Sequence, residues 1–144
     1  MSILLKSPVD ALREYVRQPS VSADPNFNAG VKGAREFAQA RLEELGFEVN
    51  LISTPIHPII LATRGDPSWP RLVIYGHYDV QPPDPLDLWT SDPFNAVERD
   101  GRIYGRGAAD NKGPQIVHMS ALERVFKDIP DYPLHITYLI EGEE

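Results

Sequence analysis

The stretch RLVIYGHYD, residues 71–79, joins a continuous apolar run to a histidine and an aspartate. A short run of this kind is typical of a strand buried on both faces of a sheet, so residues 71–76 predict such a strand. His77 and Asp79 are two positions apart, and in an extended chain both side chains point the same way. The polar pair therefore marks the end of the predicted strand.

Helix and strand patterns alternate on both sides of this strand. Ser7 and Pro8 predict the cap and first turn of a helix, and a second helix is predicted from Val31 to Leu45, with Gly46 as its left-handed C-terminal residue. The remaining predictions are a loop over residues 19–30, strands over 47–53, 58–63 and 134–140, and a hairpin over 97–104 that turns at Asp100 and Gly101. A third helix is predicted from Pro114, with an inward face of Ile116, Val117, Met119, Leu122, Val125 and Phe126. Together these elements predict the α/β class, as a three-layer sheet with flanking helices.

The composition excludes several kinds of protein. The chain has 144 residues, a net charge of −7 and no cysteine. A disulfide scaffold and a thiol nucleophile are excluded, and a metal would need His, Asp or Glu ligands. The acidic balance argues against a nucleic-acid partner. No apolar run is long enough to span a membrane and no signal peptide is recognisable, so we expect a cytoplasmic protein.

Three polar clusters fall where predicted strands or their connections end. They contain His77 and Asp79, then Asp110 before the third helix, then the doublet Glu143 and Glu144 after the last strand. Ligands of open α/β sheets bind at the carboxyl ends of the strands. Each cluster alone is more often structural, as is each of the other histidines, His57, His118 and His135. Together, one imidazole and several carboxylates suit a site for zinc, cobalt or manganese, with one glutamate as general base.

Three motifs resemble the M20 family of metallopeptidases, and within it the dipeptidase branch that includes carnosine dipeptidases. They are GHYDVQPPDPLDLWTSDPF (76–94), DGRIYGRGAADNKG (100–113) and EGEE (141–144). The resemblance implies an α/β, zinc-exopeptidase-like catalytic domain that binds two divalent metal ions and carries a separate lid domain. It implies further that residues 1–144 are the N-terminal part of that catalytic domain, without the lid and without the later metal ligands.

The resemblance also implies a role for each matching residue. His77 corresponds to a metal ligand, Asp79 to the acid that supports it, and Asp110 to the carboxylate that bridges both ions. The bond between Asp110 and Asn111 is expected to be cis. Counting from Asp110, Glu144 corresponds to the general base and the following residue to a ligand; the alternative register makes Glu143 the base and Glu144 the ligand.

The activity implied for the parent enzyme is the hydrolysis of dipeptides or similar small amides by a water that two metals activate. The expected partner is a dipeptide or small peptide, with neither nucleic acid nor membrane, and the parent enzyme is expected to be homodimeric. Two alternatives stay open. One is a deacylase of the acetylornithine or succinyl-diaminopimelate type, and the other is a non-catalytic fragment or interaction module.

Overall fold

The structure is a computed structural model that describes residues 7–144. Within these residues, three α-helices and six strands follow one another. They are α1 (Pro8–Val16), α2 (Asn28–Glu44), β1 (Glu48–Ile52), β2 (Ile59–Arg64), β3 (Arg71–His77), β4 (Val97–Arg99), β5 (Arg102–Tyr104), α3 (Lys112–Asp128) and β6 (His135–Glu141). None of the helices within residues 7–144 is long and apolar enough to cross a membrane.

The helix starts follow partly from local sequence. Ser7 caps α1 by accepting a hydrogen bond from the Asp10 amide at 3.1 Å, and Pro8 occupies the first turn, as predicted. The prediction of a loop up to residue 30 is wrong, because α2 already begins at Asn28. Its first turn lies against the carbonyl of Pro19, where a side chain at Gly30 would not fit. Close packing there requires a small residue, so no apolar residue signals the helix start.

The main sheet has the strand order β1-β2-β6-β3. The pairs β1–β2 and β2–β6 are antiparallel, whereas β3 and β6 are parallel and place His77 opposite Glu141. The hairpin of β4 and β5 forms separately. Its turn residues Asp100 and Gly101 have φ angles of 51° and 70°, which confirms the predicted turn.

The prediction that β3 is buried on both faces is wrong for the described chain. Leu72, Val73 and Tyr75 are 39%, 65% and 55% exposed. Within residues 7–144 the only strand that pairs with β3 is β6, so β3 forms an edge of the sheet. An apolar run indicates that a strand is suited to burial, but burial also requires a neighbouring strand or helix that covers it.

The core lies between one face of the sheet and the helices, which confirms the α/β class. Buried residues of all three helices join the same cluster as the buried residues of β2 and β6. The ring of Phe47 meets that of Tyr138 edge-on, with centroids 5.5 Å apart. Val117, predicted to face inward, is 66% exposed, because the buried face of α3 passes through its neighbour Ile116 instead. A further layer on the opposite face of the sheet stays a prediction.

Truncation of a core residue tests this packing. Ile136 of β6 is 1% exposed, and we expect Ile136→Ala to lower the free energy of unfolding by about 2–5 kcal/mol, because it leaves a cavity in a closely packed core. Ile56 is 66% exposed, so Ile56→Ala should change that free energy by no more than about 0.5 kcal/mol. Urea unfolding followed by circular dichroism measures both, and equal losses would contradict the proposed core.

Candidate metal centre

His77 lies at the carboxyl end of β3 between two acidic residues. Its Nδ1 atom is 3.1 Å from the backbone oxygen of Asp79 and 3.4 Å from Asp79 Oδ1. Both of these atoms only accept hydrogen bonds, so Nδ1 carries a proton and Nε2 faces Asp110 Oδ1 at 3.0 Å. The hydrogen bond to the Asp79 side chain raises the pKa of His77 to about 9; burial of the ring opposes this rise, and the bond to Asp110 adds to it.

Asp79 is a buried carboxylate with three donors around it. Its side chain is 1% exposed. Oδ2 accepts a hydrogen bond from Ser22 Oγ at 2.6 Å, and Oδ1 faces His77 Nδ1 and the backbone amide of Glu144, which is 3.4 Å away. Burial alone would raise the pKa of Asp79, but the hydrogen bonds from His77 and Ser22 outweigh it and hold that pKa below its ordinary value.

Asp110 is presented by the connection before α3. The peptide bond between Asp110 and Asn111 is cis, as predicted, and the Asp110 side chain is 79% exposed. The side-chain oxygen of Asn111 accepts hydrogen bonds from the His77 amide at 3.3 Å and from Gln115 Nε2 at 2.9 Å. Gln115 Nε2 also donates to the His77 carbonyl at 2.7 Å. The connection is therefore fastened to the strand that carries His77.

Lys112 fastens the same connection to α1. Its side chain is fully buried, and Nζ donates to the carbonyl oxygens of Tyr15 and Gln18 at 3.1 and 2.7 Å. These carbonyls lie at the C-terminal end of α1, where free acceptors and the helix dipole favour a cation. Burial lowers the pKa of Lys112 to about 7.

The two glutamates of the terminal doublet lie in different surroundings. Glu143 Oε1 accepts a hydrogen bond from the His57 amide at 2.9 Å and lies 3.4 Å from Thr54 Oγ1, both in the connection between β1 and β2. The Glu144 backbone instead approaches Asp79 Oδ1, and its carbonyl is 3.4 Å from Gln81 Nε2. The Glu143 side chain therefore lies against the β1–β2 connection, whereas the Glu144 backbone lies beside Asp79.

The residues predicted for the site come together at one edge of the sheet. His77, Asp79 and Asp110 form one hydrogen-bonded cluster, and the Glu144 backbone joins it. An imidazole nitrogen beside an exposed carboxylate is a donor set that suits zinc, cobalt or manganese. Residues 7–144 contain no group of three or more His, Asp or Glu that could hold a metal by itself. The described chain thus supplies part of a ligand set.

Three residues that support the cluster were not predicted from sequence. Ser22 falls within the predicted loop over residues 19–30, and Asn111 and Lys112 have no predicted role. The small polar residues of PSVS (19–22) and the lysine directly before a helix were the available signals. Neither signal indicates a contact with a residue so distant in sequence.

The fold is that of a metallopeptidase catalytic domain of the α/β class. The chain superposes on the crystal structure of human carnosine dipeptidase 1 with a TM-score of 0.87 and 37% identity, which covers 97% of this chain and 32% of that one. The profile of "Peptidase family M20/M25/M40" matches residues 73–144. The chain therefore belongs to the M20 family of peptidases.

Curated relatives are similar over nearly the whole chain. The Beta-Ala-His dipeptidase of Mus musculus is 37% identical over 150 residues, which cover 94% of this chain and 30% of the relative. The succinyl-diaminopimelate desuccinylase of Stenotrophomonas maltophilia is 36% identical over 140 residues, which cover 97% of this chain and 36% of the relative. The chain thus spans about a third of the length of these relatives.

The close approach of Asn111 to β3 makes Gly76 a test of the cluster. A methyl group at this position would lie 2.5 Å from Asn111 Oδ1, so Gly76→Ala should displace that side chain and destabilise the fold by about 1–3 kcal/mol. The amide signal of His77, which donates to Asn111, should shift in the NMR spectrum. In the control Gly33→Ala the methyl group meets only the movable end of Gln18, so stability should be kept. An unchanged His77 signal in Gly76→Ala would contradict this account.

Proposed function

We propose that residues 1–144 are the N-terminal part of the catalytic domain of an M20 metallopeptidase that hydrolyses dipeptides or similar small amides. The observation that carries this proposal is the cluster of His77, Asp79 and Asp110 at the carboxyl end of β3. The family match over the residues that contain the cluster supports it, as does the similarity to Beta-Ala-His dipeptidase.

His77 and Asp110 are the proposed metal ligands of this part of the domain. The Nδ1 proton of His77 is held by Asp79, which leaves Nε2 as the ligand atom and makes the ring a stronger donor. The exposed Asp110 carboxylate would hold the metal together with His77. Two divalent ions, of which we propose zinc with cobalt or manganese as alternatives, would polarise the scissile carbonyl and lower the pKa of the attacking water.

Glu144 is the proposed general base. Glu143 is engaged by the His57 amide and Thr54, whereas Glu144 lies on the side of the sheet edge where Asp79 is buried. Glu144 would take a proton from the attacking water and pass it to the leaving amine. This arrangement supports the register in which Glu144, and not Glu143, is the base.

The remaining proposals concern partners and location. A small peptide substrate follows from the similarity to a dipeptidase. The resemblance to the family supports a homodimeric parent enzyme, and the cysteine-free composition fits a cytoplasmic location. Size-exclusion chromatography with light scattering tests the dimer.

A deacylase is the second candidate. The observation that favours it is the 36% identity to a succinyl-diaminopimelate desuccinylase. Assays of the zinc-loaded parent protein with β-alanyl-histidine and with N-succinyl-diaminopimelate separate the two functions by their kcat/KM values. Turnover of only the succinylated compound would replace the dipeptidase proposal.

Substitution of the doublet tests the base. In the parent protein, Glu144→Gln should lower kcat by about 10²–10⁴-fold while the bound zinc is retained, because it removes a proton acceptor. Glu143→Gln is the matched control and should change kcat much less, since that carboxylate is bound by the β1–β2 connection. Steady-state kinetics and metal analysis check both, and a larger loss in Glu143→Gln would favour the other register.

Zinc binding to the 144-residue chain tests the partial ligand set. Calorimetry should show weak binding of at most one Zn²⁺ per chain, because His77 and Asp110 are the proposed ligands that converge within the described residues. His77→Ala should abolish that binding. Tight binding at two sites per chain would contradict the assignment of the chain as part of a larger catalytic domain.

A further inference from the structure

Ser22 contacts the candidate metal centre from a segment remote from it in sequence. Its hydroxyl donates a hydrogen bond to Asp79 Oδ2 at 2.6 Å. The Asp79 side chain is buried. We propose that Ser22 is a positioning residue that fixes the Asp79 carboxylate and, through it, the ring of His77 for metal binding. This inference rests on the proposed function, because it concerns the same centre.

The segment that carries Ser22 is held rigidly against the end of β3. Val21 forms a parallel bridge with Val80, and the Val80 amide donates to the Ser20 carbonyl at 2.8 Å. The Ser20 hydroxyl donates to the carbonyl of Tyr78 at 2.7 Å. Just before this segment, the carbonyl of Gln18 accepts a hydrogen bond from Lys112. Ser22 is therefore presented by a fixed backbone and not by a free loop.

The contact with Ser22 is the shortest that the Asp79 carboxylate makes. Its other oxygen, Oδ1, is 3.4 Å from both His77 Nδ1 and the Glu144 amide. The terminal torsion of an aspartate has a broad preference, so these longer contacts alone constrain its rotation weakly. Loss of the Ser22 hydroxyl would release Oδ2 and allow Oδ1 to turn away from His77.

A second acceptor limits the size of the effect. His77 Nδ1 also lies 3.1 Å from the Asp79 backbone oxygen, which stays in place when the carboxylate turns. Loss of an interaction with a metal-ligating histidine typically costs about 10–100-fold in metal affinity. Because the backbone acceptor remains, we expect an effect of about tenfold for Ser22.

The test compares Ser22→Ala, Ser22→Thr and Ser20→Ala in the full-length protein that contains this chain. Competition with a chelator gives the zinc dissociation constant, and the ¹⁵N shifts of the His77 imidazole in the metal-free protein report the hydrogen bond that each ring nitrogen makes. Ser22→Ala should weaken zinc binding about tenfold and shift the ¹⁵N signals, whereas Ser22→Thr keeps the hydroxyl and should restore both. Ser20→Ala, two positions before Ser22, removes the hydrogen bond to the Tyr78 carbonyl but keeps the backbone contacts of residues 20 and 21 with Val80, so it should lower only the melting temperature.

If Ser22→Ala does not fold, Ser22→Thr and Ser22→Val repeat the comparison. Threonine and valine have nearly the same volume, but only threonine carries the hydroxyl. Unchanged zinc affinity and ¹⁵N shifts in the hydroxyl-free variants would overturn the inference, as would equal losses in Ser20→Ala. The proposed function fails separately, if the unsubstituted protein binds no zinc and hydrolyses no amide. In that case a shift of the His77 signals in Ser22→Ala would still support the positioning role of Ser22.

Discussion

The parallel pairing of β3 with β6 brings His77, Asp79 and the terminal doublet to the same end of the sheet. It places His77 opposite Glu141, and the Tyr78 amide continues the ladder with a hydrogen bond to the Glu141 carbonyl at 2.8 Å. Parallel strands end at the same edge of a sheet, so the residues that follow each strand meet there. Asp79 and Glu144 are consequently neighbours, although they are 65 positions apart in sequence.

Two buried ionisable side chains, Lys112 and Asp79, lie near this end of the sheet, and the N-terminal part of the chain stabilises them. An ionised group without partners in a protein interior costs several kcal/mol. Lys112 is satisfied by the last carbonyls of α1, and Asp79 by Ser22, His77 and Glu144. Residues 7–22 contain no diagnostic family motif, yet they supply hydrogen-bond partners for two buried ionisable side chains, Lys112 and Asp79.

Sequence predicted the features that local chemistry determines. The cap at Ser7 and the turn at Asp100 depend on residues within a few positions, and both agree with the structure. The exposure of β3 could not be predicted, because burial of a strand depends on which strands lie beside it. The contacts of Ser22 and Lys112 were missed for the same reason: a hydroxyl or an ammonium reveals its partner only after the chain has folded.

The two glutamates of the doublet are adjacent in sequence but have different surroundings in the fold. Glu143 and Glu144 are both exposed acids after a strand, and the spacing from Asp110 predicts Glu144 as the base with Glu143 as the alternative. Gly142 lies so close to the Tyr78 ring that a side chain there would be 2.4 Å from it, which fixes the path of the backbone over the sheet edge. On this path the β1–β2 connection receives Glu143. The contact that sets Glu143 apart from the proposed base therefore comes from a connection outside the three sequence motifs.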